Sequence, residues 1–151
     1  MFKTTVETSI LIAAPPEAVT QVILNPDLAV RWTTDLERFE VVHGNAGQPG
    51  AVARLHYLQG GQRYTMDDTL LYAEPGRCYR SRVTSDVLSA EVETTLEPEE
   101  GGTWVRVRWI GSGRRFPLRF LLPLMRRSVT RQAEADLRKL KDLVEKRPPE
   151  A

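Results

Sequence analysis

Residues 122–146 read LPLMRRSVTRQAEADLRKLKDLVEK. Leu122, Met125, Val129, Ala133, Leu137, Leu140 and Val144 recur at steps of three or four, the spacing that lines one face of an α-helix. Pro123 suits a first helical turn, where its missing N–H costs nothing, and Pro148-Pro149 stops the run. A helix over 123–146 would extend roughly 36 Å at about 1.5 Å per residue. That is long enough to cross the whole face of a sheet, and its apolar stripe requires such a face.

The face is supplied upstream. Segments 37–43, 51–59, 62–73, 77–84, 89–96 and 103–110 alternate apolar and polar residues with the period of a strand. Turn chemistry separates them: GNAGQPG at 44–50, Gly60-Gly61, Glu74-Pro75-Gly76, Ser85-Asp86 and PEEGG at 98–102. Gly60-Gly61 stands where a two-residue hairpin needs positive φ. A further strand is expected over 3–13, where Val6, Thr8, Ile10 and Ile12 alternate with Thr5, Glu7, Ser9 and Leu11. Ala14-Pro15-Pro16-Glu17 then opens a short helix carrying Ala18, Val19, Val22 and Ile23. Asn25-Pro26-Asp27 breaks it, and a second short helix is expected over 28–32. No basic helix follows this pair, so it reads as a structural corner and not as a DNA reader.

The expected fold class is therefore α+β. A seven-stranded curved antiparallel sheet wraps a long C-terminal helix, with two short helices after the first strand. One domain is expected over 1–147, with a short tail at 148–151.

Composition narrows the function. The 151 residues carry a net charge of +1, which gives the chain as a whole no bias toward nucleic acid. Cys78 is the single cysteine, and His43 and His56 are the two histidines, so neither a disulfide nor a metal site is expected. Gly111-Ser112-Gly113 precedes no Lys-Ser/Thr signature, which sets a phosphate loop aside. No cofactor is expected. The first stretch, MFKTTVETSILIAAPPE, lacks the layout of a secretion signal, and no apolar run is long enough to span a bilayer. A cytoplasmic location is the expectation.

Four local features, in fixed order, carry a resemblance. They are the first strand running into Ala13-Ala14-Pro15-Pro16-Glu17-Ala18-Val19, and Asn25-Pro26-Asp27 followed by Arg31-Trp32. Glu74-Pro75-Gly76-Arg77 comes next, with Gly102-Thr103-Trp104-Val105, and then the tail Leu137 to Glu145. Together they span nearly the full chain, which resembles the START-like (SRPBCC) superfamily of helix-grip proteins. That superfamily includes the birch pollen allergen, lipid-transfer START domains and polyketide cyclases. The likeness is greatest to its polyketide cyclase/dehydrase and lipid-transport branch. The resemblance implies an internal cavity for an apolar small molecule. None of the four features is a catalytic motif, so catalysis is left open and binding is favoured.

Strand alternation names a cavity lining. Phe39, Val41 and His43 face inward from the second strand, and Leu55 and Tyr57 from the third. On the fourth, Tyr64, Met66, Leu70 and Tyr72 form the apolar register and carry Asp68 inward with them. Tyr79, Ser81 and Val83 follow, then Leu88, Ala90, Val92 and Leu96, then Val105, Val107 and Trp109. Leu122, Met125 and Val129 close the space from the helix. Such a set makes a small-molecule pocket or simply a filled core.

Asp68 is the candidate catalytic residue. A carboxyl turned into an apolar cavity has a raised pKa and can serve as general acid or base. Nearby tyrosines would orient an enolate-type substrate, as a cyclase or dehydratase requires. A one-residue register slip or a bulge would instead turn Asp67 inward or leave both carboxylates at the surface, where aspartate is commonly found. Segment 114–131 carries Arg114, Arg115, Arg119, Arg126, Arg127 and Arg131 with no acid, interleaved with Phe116, Leu118, Phe120, Leu121, Leu122, Leu124 and Met125. Such a stretch either anchors the helix with its arginines turned outward or makes a weak peripheral contact with an anionic membrane or acidic partner. The leading expectation is binding of a lipid, quinone or polyketide-like compound. The alternatives are a cyclase/dehydratase and an adaptor working through 114–131.

Overall fold

In the computed structural model, which describes residues 3–146, the alternating segments form one curved antiparallel sheet of seven strands. These are β1 (Thr4–Ile12), β2 (Leu36–His43), β3 (Val52–Gln59), β4 (Gln62–Glu74), β5 (Cys78–Thr84), β6 (Leu88–Glu99) and β7 (Gly102–Gly113). Their order across the sheet is β1-β7-β6-β5-β4-β3-β2. From β2 to β7 the chain meanders, and β1 pairs along β7 from Thr4 opposite Gly111 to Ile12 opposite Thr103. Gly60 and Gly61 both take positive φ, 58° and 80°, in the β3–β4 hairpin. The tail expected at 148–151, together with Arg147, lies outside the described residues.

Two short helices, α1 (Pro16–Ile23) and α2 (Ala29–Trp32), connect β1 to β2 and so join the two edges of the sheet. Near the C-terminus the chain forms α3 (Leu118–Leu121), a 3-10 turn (Leu122–Met125) and α4 (Arg126–Lys146). The helix expected from 123 therefore starts three residues later. Pro123 occupies the first turn of the tighter 3-10 segment, and the α-helix begins once the chain is past it. The 21 residues of α4 still span about 31 Å.

Leu137, Leu140 and Val144 of α4 are buried against Ile12, Val19, Val22, Leu96 and Val105. This is the helix-grip arrangement, closed most tightly at the C-terminal end of α4. Each leucine buried there contributes roughly 1.5–3 kcal/mol over an exposed one. A second buried cluster gathers Ala29, Leu36, Ala53, Leu55 and Tyr57 at the β2–β3 side, with Phe39 and Met66 packed on it.

The outer face of the sheet carries the residues that alternate with these. Arg54 pairs with Asp67 at 3.0 Å, Arg80 with Glu93 at 3.1 Å and Arg82 with Glu91 at 3.3 Å. These pairs are solvent-exposed, and each contributes little to stability. Asp67, paired with Arg54, stands on this outer face, and Asp68 takes the inward position.

Two of the sheet's three register shifts change the expected facing of a residue. β4 shifts register between Leu70 and Tyr72, so Tyr72 turns outward opposite Arg80, whose guanidinium lies 5.6 Å from the ring centroid. Ala73, not Tyr72, continues the buried face. β2 shifts between Val41 and His43, and His43 emerges exposed.

Candidate functional site

Between the two clusters the sheet and α4 enclose a cavity of about 500 Å³. Its floor is the concave face of β2 to β7: Phe39 and Val41, Leu55 and Tyr57, Tyr64, Met66, Asp68 and Leu70, Tyr79 and Val83, Ala90 and Val92, Val107 and Trp109. Leu122, Met125 and Val129 cover it from the 3-10 turn and the start of α4. Exposed lining residues mark its rim, among them Val41, Tyr64, Ala46 and Met125.

Four residues of the expected lining lie elsewhere, Tyr72 among them on the outer face. His43 follows the β2 bulge, which breaks the inward alternation of Phe39 and Val41, and it ends on the surface. Val105 is fully buried in the core cluster that includes Leu137 and Leu140, and it does not line the cavity. Leu96 is likewise core and not lining.

The cavity also takes in residues that strand alternation does not reach. Ile23, Leu24, Asn25, Pro26 and Trp32 approach from α1, α2 and the turn between them, and Ala46 and Gly47 from the β2–β3 loop. From α4 come Gln132, Ala133, Asp136 and Leu137. Asp136 had a visible signal. It lies seven residues after Val129, on the apolar stripe itself, where a lone carboxylate is out of place.

The polar groups are few and ordered. Asp68 sits on β4 opposite Ala53 and Val83, with the Ser81 hydroxyl as its hydrogen-bond partner. Burial raises its carboxyl from the ordinary 3.8 to about 6, the serine opposing only part of that rise. Asp136 accepts the Thr34 backbone N–H at 2.8 Å and the Thr34 hydroxyl on the same Oδ1, tying α4 to the turn before β2. Burial raises this carboxyl too, against the two Thr34 bonds and Lys139. Tyr57 stacks on Tyr64 with ring centroids 5.0 Å apart. Burial pushes the Tyr57 hydroxyl well above its ordinary value, and the charges of Asp136 and Asp68 add to the rise. The Tyr79 hydroxyl accepts the Gly76 N–H at 3.0 Å and so pins the β4–β5 turn.

Trp109 owes its position to Gly111. A Cβ at Gly111 would lie 2.2 Å from the indole ring, so the missing side chain is what lets that ring lie flat on the strand. The ring then forms part of the cavity wall.

Chemically, the site can enclose an apolar body and offer it two carboxyls and several neutral hydrogen-bonding groups. Asp68, titrating near neutrality, can give or take a proton. Among the described residues no cluster of His, Cys, Asp and Glu is suited to a metal ion. None of the described helices is long and apolar enough to cross a membrane.

A family model described as polyketide cyclase / dehydrase and lipid transport matches residues 3–145. A search of the curated proteins finds no match. Among solved structures, the chain is similar to the Zhui aromatase/cyclase from a Streptomyces species, with a TM-score of 0.81 and 20% identity over 97% of this chain and 96% of that one. It is similar to a START superfamily protein from Mycobacterium smegmatis, with a TM-score of 0.78 and 17% identity over 93% and 97%. It also resembles Ara h 8.0201, with a TM-score of 0.75 and 19% identity over 95% and 98%. At such identities the likeness is one of fold, and the site has to be argued from its own residues.

Proposed function

The chain belongs to the polyketide cyclase/dehydrase and lipid-transport family, and from that premise we propose that it binds an apolar or amphipathic small molecule, of the lipid, quinone or polyketide-like kind, inside the cavity between sheet and helix. The carrying observation is the cavity itself: about 500 Å³, walled largely by aliphatic and aromatic side chains. Small-molecule sites run from roughly 300 to 1,000 Å³ with such linings and a few placed polar groups. An enzymatic reading, as a cyclase or dehydratase, would draw its proton transfer from Asp68 with Asp136 and the lining tyrosines beside it, and no His, Lys or Arg is among the described lining residues. The binding reading rests on the whole lining. Native mass spectrometry of the purified chain after incubation with a total lipid and quinone extract should show a discrete ligand-bound mass. A protein that stays at its apo mass across every class of extract removes the reading.

A second reading concerns delivery. Arg114, Arg115, Arg119, Arg126, Arg127 and Arg131 are all exposed, and Phe116 and Leu124 beside them are each 80% exposed. Cations around protruding apolar side chains suit an anionic bilayer surface, and the segment leads into the cavity wall at Leu122 and Met125. Co-sedimentation with phosphatidylglycerol-containing vesicles should be strong at low salt and fall steeply as salt rises. Absent or salt-independent binding removes this reading and leaves the first intact.

A further inference from the structure

The charge of the cavity is one-sided. Asp68 reaches it from β4 and Asp136 from α4, so the two carboxyls enter from opposite walls. Tyr57, also in the lining, feels both of them. The remaining polar lining is neutral, including Ser81, Thr94, Thr33, Asn25 and Gln132. Among the described residues that line the cavity there is no Lys, Arg or His. Lys139 is exposed and outside the lining, and its Nζ reaches the Thr34 hydroxyl at 3.0 Å, offsetting Asp136 in part from behind. Asp68 has only the Ser81 hydroxyl, which carries no charge.

A charge enters an apolar cavity at acceptable cost only when it meets an opposite one there. A carboxylate or phosphate head carried inside would face two like charges with no cation to receive it. An ammonium would find a counter-charge on either wall, and its apolar body would find the aromatic floor. A neutral hydroxyl or carbonyl lies between these cases.

We propose that the cavity is a site for a cationic amphiphile, an apolar body bearing an amine, and that it discriminates against carboxylates and phosphates. This rests on the binding reading of the cavity and names the ligand class for it. The rival is an anionic amphiphile whose tail enters while its head stays outside on Arg126 and Arg127, both exposed on the first turn of α4.

Three probes of equal chain length separate these: dodecylamine, dodecanol and dodecanoate, each titrated calorimetrically into the full chain at about pH 8, below its micellar concentration. Dodecylamine should bind roughly 10- to 100-fold more tightly than dodecanol, the range expected for one ion pair at close distance in a partly screened interior. Dodecanoate should bind more weakly than dodecanol. In the Asp68→Asn/Asp136→Asn double variant, checked for an intact melting transition, the three should bind alike. Each single variant serves if the double does not fold, and each should lose part of the preference for the amine. Dodecanoate matching or exceeding dodecylamine, or an order that survives the double substitution, overturns the proposal while leaving the binding reading in place. Failure of all three probes on the parent chain overturns the proposal, and the extract experiment then decides the binding reading on its own.

Discussion

Replacing Asp68 with asparagine is expected to stabilise the protein above neutral pH and to leave its stability unchanged in acid. Burial lifts the Asp68 carboxyl from 3.8 to about 6. The folded chain therefore holds this proton more tightly than the unfolded chain does. Below about pH 4 both states carry it, and the side chain is a neutral hydrogen-bonding group in either. As the pH rises from about 4 through 6, the unfolded state releases the proton first, and the folded state loses stability until its own carboxyl ionises. Above that point the native protein keeps a carboxylate in an apolar cavity, at a cost of roughly 2–3 kcal/mol. Asparagine has a similar shape and can still bond Ser81, but it never ionises. The difference between variant and parent should be near zero at about pH 4 and reach roughly 2–3 kcal/mol in favour of the variant at about pH 8, or about 5–10 °C in melting temperature. Urea unfolding across this range measures it. A variant less stable than the parent at high pH, or a difference that does not change with pH, would show that Asp68 is solvated. A carboxylate kept at such a cost is what a ligand site would retain and a mere core would not.

The second large effect is expected at Gly102, where β7 begins against the end of β1. A Cβ there would fall 2.0 Å from the Ile12 carbonyl oxygen and 2.9 Å from its carbon. Both are backbone atoms, and neither can swing aside. Ile12 is fully buried, and the next strand residue, Thr103, donates its hydroxyl to the Ala14 carbonyl at 2.7 Å. Gly102→Ala must therefore move the end of one strand away from the other, at about 3 kcal/mol or more. That lowers the melting temperature by roughly 6–12 °C. Gly101 next door provides the comparison. Its Cβ would meet nothing within 4 Å, and only its φ of +87° disfavours a side chain. Gly101→Ala should cost about 1–2 kcal/mol. If the two variants melt together, crowding against Ile12 is not what Gly102 relieves.

How far the sequence could be read depended on periodicity. The order of strands, the two short helices and the buried stripe of α4 follow from patterns sustained over many residues, and such patterns survive small errors in boundary. Asp68 followed Met66 and Leu70 by the same alternation. What escaped was local. Single extra residues in β2 and β4 reversed the facing of His43 and Tyr72, and nothing in either segment marks a bulge, since no glycine stands there. Val105 kept its expected face, but where a cavity ends depends on how far the helix lifts from the sheet, which no strand pattern encodes. Residues 24–26 and 46–47 reach the cavity from turns, which have no period to read. Asp136 was legible in principle, as the one acid on an otherwise apolar stripe.

The order of the sheet has a consequence for how these molecules behave when crowded. Its two outermost strands, β1 and β2, are consecutive in the chain, and α1 and α2 bridge them. α4 packs on β1 and α2 packs on β2. β2 is also bulged twice along its length, which spoils it as a straight template. A neighbouring copy seeking to extend the sheet at β2 would thus meet an irregular strand. At that border the protein can keep an apolar interior while offering its neighbours little straight backbone on which to polymerise.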